Sequence, residues 1–102
     1  NAIHAGFVAG RGVSPNDAVG EPSLSIFAYG TLLQRCVGPE LVETIQSSLK
    51  WLTEVVRDRR DRLSAGQVIL TGSIPSLISI AEDCGIRVDA PPFGSVEARF
   101  IP

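Results

Sequence analysis

The stretch that decides the fold runs from Leu63 to Phe100 and reads LSAGQVILTGSIPSLISIAEDCGIRVDAPPFGSVEARF. It contains a short apolar run from Gln67 to Thr71, which is typical of a strand buried on both faces. Two alternating segments follow at Ile86 to Ala90 and Val96 to Phe100, and both predict half-buried strands. The residues Pro91-Pro92-Phe93-Gly94 between them favour a turn. The second half of the chain is therefore predicted to be rich in β-structure.

One main helix is predicted upstream of this stretch, over about residues 39–60. Apolar residues recur at helical spacing from Leu41 to Val56 and leave a single buried stripe. Pro39 is tolerated in a first helical turn, where Glu40 also favours the positive end of the helix. The basic residues at the other end, among them Arg60, suit its negative end.

The part of the chain before the helix adds a hairpin and one further strand. Leu24 to Ala28 and Leu32 to Cys36 both alternate, and Tyr29-Gly30-Thr31 predicts the turn between them. The segment from Asn1 to Gly12 contains apolar residues between glycines, which suits a short buried strand. Several strands with one helix predict an α+β fold, in a single domain over residues 1–102.

Composition and charge exclude several classes of function. The 102 residues are 44% hydrophobic and 20% charged, which is typical of a globular protein. A net charge of -2 gives no reason to expect nucleic acid or an anionic membrane as a partner. No apolar run approaches the roughly 18 residues of a membrane-spanning helix, and the first residues lack the layout of a signal peptide. A cytoplasmic location is therefore expected.

The cysteines and the chain start carry two further expectations. Cys36 and Cys84 are too few for a disulfide framework, so reduced thiols are expected, with one disulfide as the alternative. The chain contains no methionine and starts at Asn1. These two observations predict a fragment, a processed half or one piece of a clipped protein.

The tripeptide Thr71-Gly72-Ser73 is the first candidate for chemistry. Gly72 has no Cβ, so a ligand can approach its backbone amide. The hydroxyls of Thr71 and Ser73 can donate hydrogen bonds to a carboxylate or carbonyl oxygen. From spacing alone, the alternative is a strand that simply ends in a turn.

Three other groups are weaker candidates. Asn1 is able to reach a ligand, whereas His4 lacks the positioned partner that a general base needs. The run from Arg57 to Arg62 alternates in sign, which indicates a solvated, self-paired helix end rather than an anion site. Glu82-Asp83 beside Cys84 indicates a surface turn, because adjacent carboxylates point in different directions and no histidine is near.

Taken together, these segments resemble the C-terminal part of the fumarylacetoacetate hydrolase superfamily. The resemblance spans nearly the whole chain and follows the order of its segments. Its strongest part is Leu63 to Ser73, and Gly94 to Phe100 is similar to the family's closing strand. Further matches are the opening glycine-containing segment, Gly6 to Gly10, and the helical tetrad Leu49-Lys50-Trp51-Leu52. The loop Val13 to Pro22 matches only loosely.

The closest branch comprises 2-oxopent-4-enoate (2-hydroxypenta-2,4-dienoate) hydratases and 2-oxo-3-hexenedioate (4-oxalocrotonate) decarboxylases of aromatic meta-cleavage catabolism. The resemblance implies a mixed β-sheet roll or barrel-like half-domain, here as the C-terminal portion of a larger catalytic domain. It also implies a divalent cation, Mg or Mn, that stabilises the enolate of a 2-oxo acid as a Lewis acid. In the family, the metal carboxylates and a catalytic lysine precede the position of Asn1. The catalytic residues are therefore expected outside this chain, which supplies no metal ligand.

What can be carried over is the substrate-contacting segment. The resemblance assigns Thr71, Gly72 and Ser73 to the carboxylate or oxo group of the 2-oxo acid, with Asn1 as a further contact. The expected activity is that of a hydro-lyase, with a carboxy-lyase as the alternative, and it requires the missing N-terminal portion. The expected partners are that N-terminal half or a homologous subunit, in an oligomer. The alternative from another class is a non-catalytic half-domain that assembles with a complete homologue.

Overall fold

The computed structural model describes residues 6–72, 74–80 and 83–101. They form the strands β1 (Ser23–Ala28), β2 (Thr31–Val37), β3 (Cys84–Asp89) and β4 (Ser95–Phe100), with the helix α1 (Pro39–Asp58) between β2 and β3. The four strands form one sheet in the order β2-β1-β3-β4. The predicted α+β class is confirmed. The sheet differs from the mixed sheet that was expected, because all three pairings in this part of the chain are antiparallel.

Two hairpins build the sheet, and both were predicted. Tyr29 and Gly30 connect β1 to β2 with φ angles of 51° and 74°, the positive values that a two-residue turn of type I′ requires. The turn between β3 and β4 is held by the amide of Ala90, which donates to the carbonyl of Gly94 at 2.8 Å. The hairpins meet where Ile26 of β1 pairs with Val88 of β3.

Strand β2 carries a bulge. Ile26 pairs with Gln34, but the next residue, Phe27, pairs with Leu32, so Leu33 is left without an opposite residue. A bulge inserts one residue, bends its strand and increases the local twist. The strand that forms this edge of the sheet is therefore irregular.

The predicted helix is confirmed, with its end two residues earlier than expected. Pro39 occupies its first turn and Glu40 lies near the positive end, while Arg57 lies in the last turn. Leu41 is buried, and the other apolar residues of the stripe are half-buried or exposed. Trp51 is 64% exposed. Among the described residues, the apolar stripe is thus fully buried only at Leu41.

The two faces of the sheet differ in chemistry. One face is apolar: Ile26, Val88 and Val96 lie opposite one another on β1, β3 and β4. The neighbouring row of paired residues consists of Phe27 on β1, Arg87 on β3 and Glu97 on β4. Because side chains alternate along a strand, this row lies on the other face. We call these the apolar face and the polar face. Among the described residues, the buried hydrophobic side chains are few: Ile26 at 8% exposure, Leu41 at 6% and Cys84 at 3%.

One predicted strand is wrong, and the described part of another forms no strand. Gln67 to Thr71 forms no strand, and Val68, Ile69 and Leu70 are exposed. An apolar strand of that kind needs a neighbour on each side, and the four antiparallel strands leave no such position for it. Residues 6–12, the described part of the predicted N-terminal strand, form no strand and are exposed, with Gly10 beside Val96 of β4. The remainder of that segment lies outside the described residues.

The accessible surface area of the chain is larger than that of a compact monomer of the same mass. Its accessible area is 8345 Å² for 10.8 kDa. A compact monomer of this mass exposes about 5,500 Å². The small core and the many exposed apolar side chains account for this difference. Within the described ranges, no helix is both long and apolar enough to cross a membrane.

Candidate functional site

The segment between α1 and β3 contains the predicted tripeptide. It leaves the helix through a turn in which the amide of Gln67 donates to the carbonyl of Ser64 at 3.3 Å. The side chain of Gln67 closes the same turn, since its Oε1 accepts from the amide of Ser64 at 2.7 Å. Residues 67–72 then continue without helical or strand pairing. A local turn over residues 64–67 therefore restrains the start of the tripeptide segment.

Two residues of the tripeptide are described, Thr71 and Gly72. Thr71 is half-buried and Gly72 is exposed. Gly72 has a φ of 89°, which favours glycine, and nothing lies within 4 Å of where a Cβ would stand. A ligand therefore has free access to this stretch of backbone. Ser73 and Asn1, the other predicted substrate contacts, lie outside the described residues, as does His4.

A pair of hydrogen bonds fixes the other end of the segment. The amide of Ser76 donates to Oε1 of Gln34 at 2.9 Å, and Nε2 of Gln34 donates to the carbonyl of Ser76 at 3.3 Å. Gln34 lies on β2 opposite Ile26, so this clamp holds the segment beside the apolar face of the sheet. We call these two bonds the Gln34 clamp. It restrains the chain five residues after Thr71.

A hollow of about 480 Å³ lies on the polar face. Its volume falls within the range of small-molecule sites. Arg87 places its guanidinium 4.6 Å from the centre of the Phe27 ring, which is a cation–π distance. The same guanidinium pairs with Asp89, from Nε to Oδ1, at 3.2 Å. The hollow is lined by Phe27, Tyr29, Gly30, Gly85, Ile86, Arg87, Glu97, Ala98 and Arg99.

Four side chains meet at one corner of this hollow. Arg99 donates from Nε at 2.9 Å and from Nη2 at 2.6 Å, both to Oδ1 of Asp83. The hydroxyl of Tyr29 donates to the carbonyl of Asp83 at 3.2 Å. The pKa of Tyr29 is raised, first by a hydrogen bond with the thiol of Cys84, then by desolvation and by negative charge at Cys84 and Asp83. This corner therefore disfavours ionisation of the Tyr29 phenol.

The hollow and the tripeptide are separate features. Neither Thr71 nor Gly72 lines the hollow. Arg87, Glu97 and Arg99 were not predicted as site residues, although alternation alone predicts that Glu97 and Arg99 share one face of their strand. The sequence pattern does not show the register between β3 and β4, which sets Arg87 opposite Glu97.

The weaker candidates have ordinary structural roles where they are described. The run from Arg57 to Arg62 is exposed at the helix end, but it forms no ion pair within itself, so the expected self-pairing is wrong. Asp83 pairs with Arg99 rather than contributing to a metal site. Cys36 and Cys84 are free thiols, as predicted. In the part of the chain that the structure describes, no three His, Cys, Asp or Glu residues are grouped to hold a metal ion.

The resemblance drawn from the segment order has no independent support from known proteins. Comparison of the chain with family models, with curated proteins and with solved structures finds no match.

Proposed function

We propose that this chain is the C-terminal portion of a metal-dependent 2-oxo acid hydratase of the 2-hydroxypenta-2,4-dienoate type, in the fumarylacetoacetate hydrolase superfamily. The observation that carries the proposal is the segment Leu63 to Ser73, with its similarity to the family's substrate-contacting segment. The order of the neighbouring elements agrees with it, since an amphipathic helix precedes the segment and a β-hairpin follows it. The chain therefore supplies one wall of the substrate site.

The geometry of Thr71 and Gly72 suits the binding of a carboxylate. Gly72 leaves open space beside its backbone, and Thr71 is half-buried, so its hydroxyl loses little water on binding a ligand. Donors of this kind stabilise negative charge on oxygen most strongly where water is excluded. The turn at Ser64 and the Gln34 clamp restrain the segment on both sides, which reduces the entropy lost on binding.

The divalent cation of the proposed enzyme is not assigned to this chain. The described residues form no ligand set for such an ion. The proposed metal ligands and the acid–base groups therefore belong to the N-terminal portion or to a homologous subunit. The exposed apolar residues beside the tripeptide, Val68 to Leu70, support such a partner, because no described residue buries them.

The test is to purify the chain with an affinity tag under native conditions and to determine the intact mass of every polypeptide that accompanies it. The assembled protein is then assayed with Mg²⁺ or Mn²⁺ for loss of the ultraviolet absorbance of 2-hydroxypenta-2,4-dienoate. We expect a companion sequence with a Glu-x-Glu pair and an upstream lysine, together with hydratase turnover. Release of carbon dioxide from 2-oxo-3-hexenedioate would select the decarboxylase instead. A folded, monomeric chain that is alone and inactive on both substrates refutes the proposal.

The variant Thr71→Val tests the assigned residue in the assembled enzyme. Loss of one hydrogen bond to a charged group costs about 1.5–3 kcal/mol, so the KM for the 2-oxo acid should rise by at least about tenfold. Thr71→Ser keeps the hydroxyl and should stay near the parent value. Thr53→Val is the control, because that hydroxyl donates only to the helix carbonyl of Leu49. Unchanged kinetics for Thr71→Val would remove Thr71 from the site.

A further inference from the structure

Strand β4 forms an outer edge of the sheet. It is the last strand in the order β2-β1-β3-β4, and its inner side pairs with β3 from Ser95 to Phe100. Gly10 lies beside Ser95 and Val96 at the start of the strand. No backbone hydrogen bond joins the outer side of β4 to any other described segment. The outer amides and carbonyls of a regular edge strand form a template for another strand. This edge is therefore able to accept a partner through its backbone.

The side chains of β4 are ordered symmetrically about Ala98. The strand reads Val96-Glu97-Ala98-Arg99-Phe100, with an apolar residue two positions away on each side and opposite charges one position away. An antiparallel copy centred on Ala98 sets Glu97 opposite Arg99 twice, and Val96 opposite Phe100 twice. Opposite charges and apolar pairs directly across two strands both stabilise the pairing.

The charged residues have the capacity for these contacts. Glu97 forms no ion pair with another described residue. Arg99 is 71% exposed in its side chain and directs two donors to a single oxygen of Asp83, so other donors of its guanidinium remain available. Charges on an edge strand normally oppose pairing between sheets. Here the charges favour pairing with a second copy, because each copy presents the opposite charge at the facing position.

The opposite edge of the sheet lacks these properties. Strand β2 is bulged at Leu33, which disturbs the row of backbone groups. Its single charged residue, Arg35, faces an uncharged residue or a second Arg35 in any antiparallel self-pairing of Thr31–Val37. The self-complementary order is thus a property of β4 within this sheet.

The exposed area is sufficient for such an interface. The accessible surface of 8345 Å² exceeds that of a compact monomer of the same mass by about 2,800 Å². A stable interface of standard size removes about 800 Å² from each partner. Part of the excess lies at the edge itself, where Phe100 is 43% and Ile101 is 73% exposed.

We propose that two copies of this chain associate through antiparallel pairing of their β4 strands, with a two-fold axis at Ala98. The pairing joins two four-stranded sheets into one of eight strands, and it continues the apolar face from one copy to the other. The contact is isologous, so it closes at a dimer and leaves β2 as the new outer edge. This inference does not depend on the proposed 2-oxo acid chemistry.

Charge reversal tests the register. Glu97→Arg places arginines opposite each other twice, and Arg99→Glu does the same with carboxylates. In sedimentation equilibrium, each single variant should dimerise at least about tenfold more weakly than the parent chain. A one-to-one mixture of the two variants restores both opposite-charge pairs, and it should form a heterodimer close to the parent in affinity. Arg35→Glu makes the same charge change on β2 and should leave the dimer unchanged.

Cross-linking provides a second measurement that does not rely on charge. In Ala98→Cys, the two introduced thiols face each other across the axis, so mild oxidation should link two copies through these thiols, as identified by peptide mass. Ser95→Cys is the control, because its position faces Ile101 and not itself. The proposal is overturned if the parent chain is monomeric, if the mixture of charge variants does not restore the dimer, or if Ser95→Cys links as readily as Ala98→Cys.

Discussion

The Gln34 clamp is the contact on which the placement of the candidate site depends, and Gln34→Ala should release it. The substitution removes both hydrogen bonds to Ser76, at 2.9 and 3.3 Å. Each neutral hydrogen bond contributes about 0.5–1.5 kcal/mol. Because the pair is partly exposed, we take the low end, which gives a loss of about 1 kcal/mol for the two bonds together. Such a loss increases the population of the open segment about fivefold.

Hydrogen exchange measures this directly, because the amide of Ser76 is the donor in one of the two bonds. Its protection factor should fall at least about fivefold in Gln34→Ala, because the amide also loses its acceptor. In Gln34→Glu the carboxylate still accepts from this amide but no longer donates to the carbonyl, so the protection should fall less. Gln46→Ala is the matched control, since Gln46 lies exposed on α1 and forms no side-chain hydrogen bond with the described residues. Unchanged exchange at Ser76 in Gln34→Ala, or an equal change in the control, would refute the role of the clamp.

Two further predictions concern other contacts. Gly10→Ala should destabilise the fold by about 1–3 kcal/mol in urea unfolding, because the new methyl would lie 2.8 Å from Cγ1 of Val96 and overpack that contact. Gly12→Ala, with nothing within 4 Å of its Cβ position, should be nearly neutral, and equal effects of the two changes would contradict the contact. Tyr29 is the single tyrosine, so phenolate absorbance reports its titration. The titration midpoint should lie above the ordinary pKa of 10.0, and it should return toward that value in Cys84→Ala. Because the pKa of Tyr29 is raised in the folded state, its contribution to stability is present below pH 10.0 and declines as the pH rises through that raised pKa. A titration midpoint that Cys84→Ala does not change would contradict the assigned cause.

The elements that the sequence predicted correctly are those with local signals. The hairpin at Tyr29-Gly30 follows from alternating segments around a residue pair that accepts positive φ, and the helix follows from apolar spacing after Pro39. The end of that helix has a weaker local signal, because arginines near its C-terminus do not specify which residue leaves the helical conformation. Local chemistry thus determined the type of each of these elements.

The strand predicted at Gln67 to Thr71 failed for a non-local reason. Its apolar composition is compatible with a buried strand, but a strand also needs neighbours, and their presence depends on residues far along the chain. The same limit applies to the hollow on the polar face. Which charged residues meet there depends on the pairing of β3 with β4, and neither strand alone determines that register.

The position of β1 at the centre of the sheet also has a consequence for folding kinetics. Each hairpin closes a short loop, so each can form early and by itself. The sheet is completed when β1 meets β3, and the nearest of these pairs, Ala28 with Ile86, is separated by α1 and by the whole unpaired segment after it. Closing that loop costs more entropy than closing either hairpin. Docking of two preformed hairpins is therefore expected to limit the folding rate, with the helix lying within the loop that this docking closes.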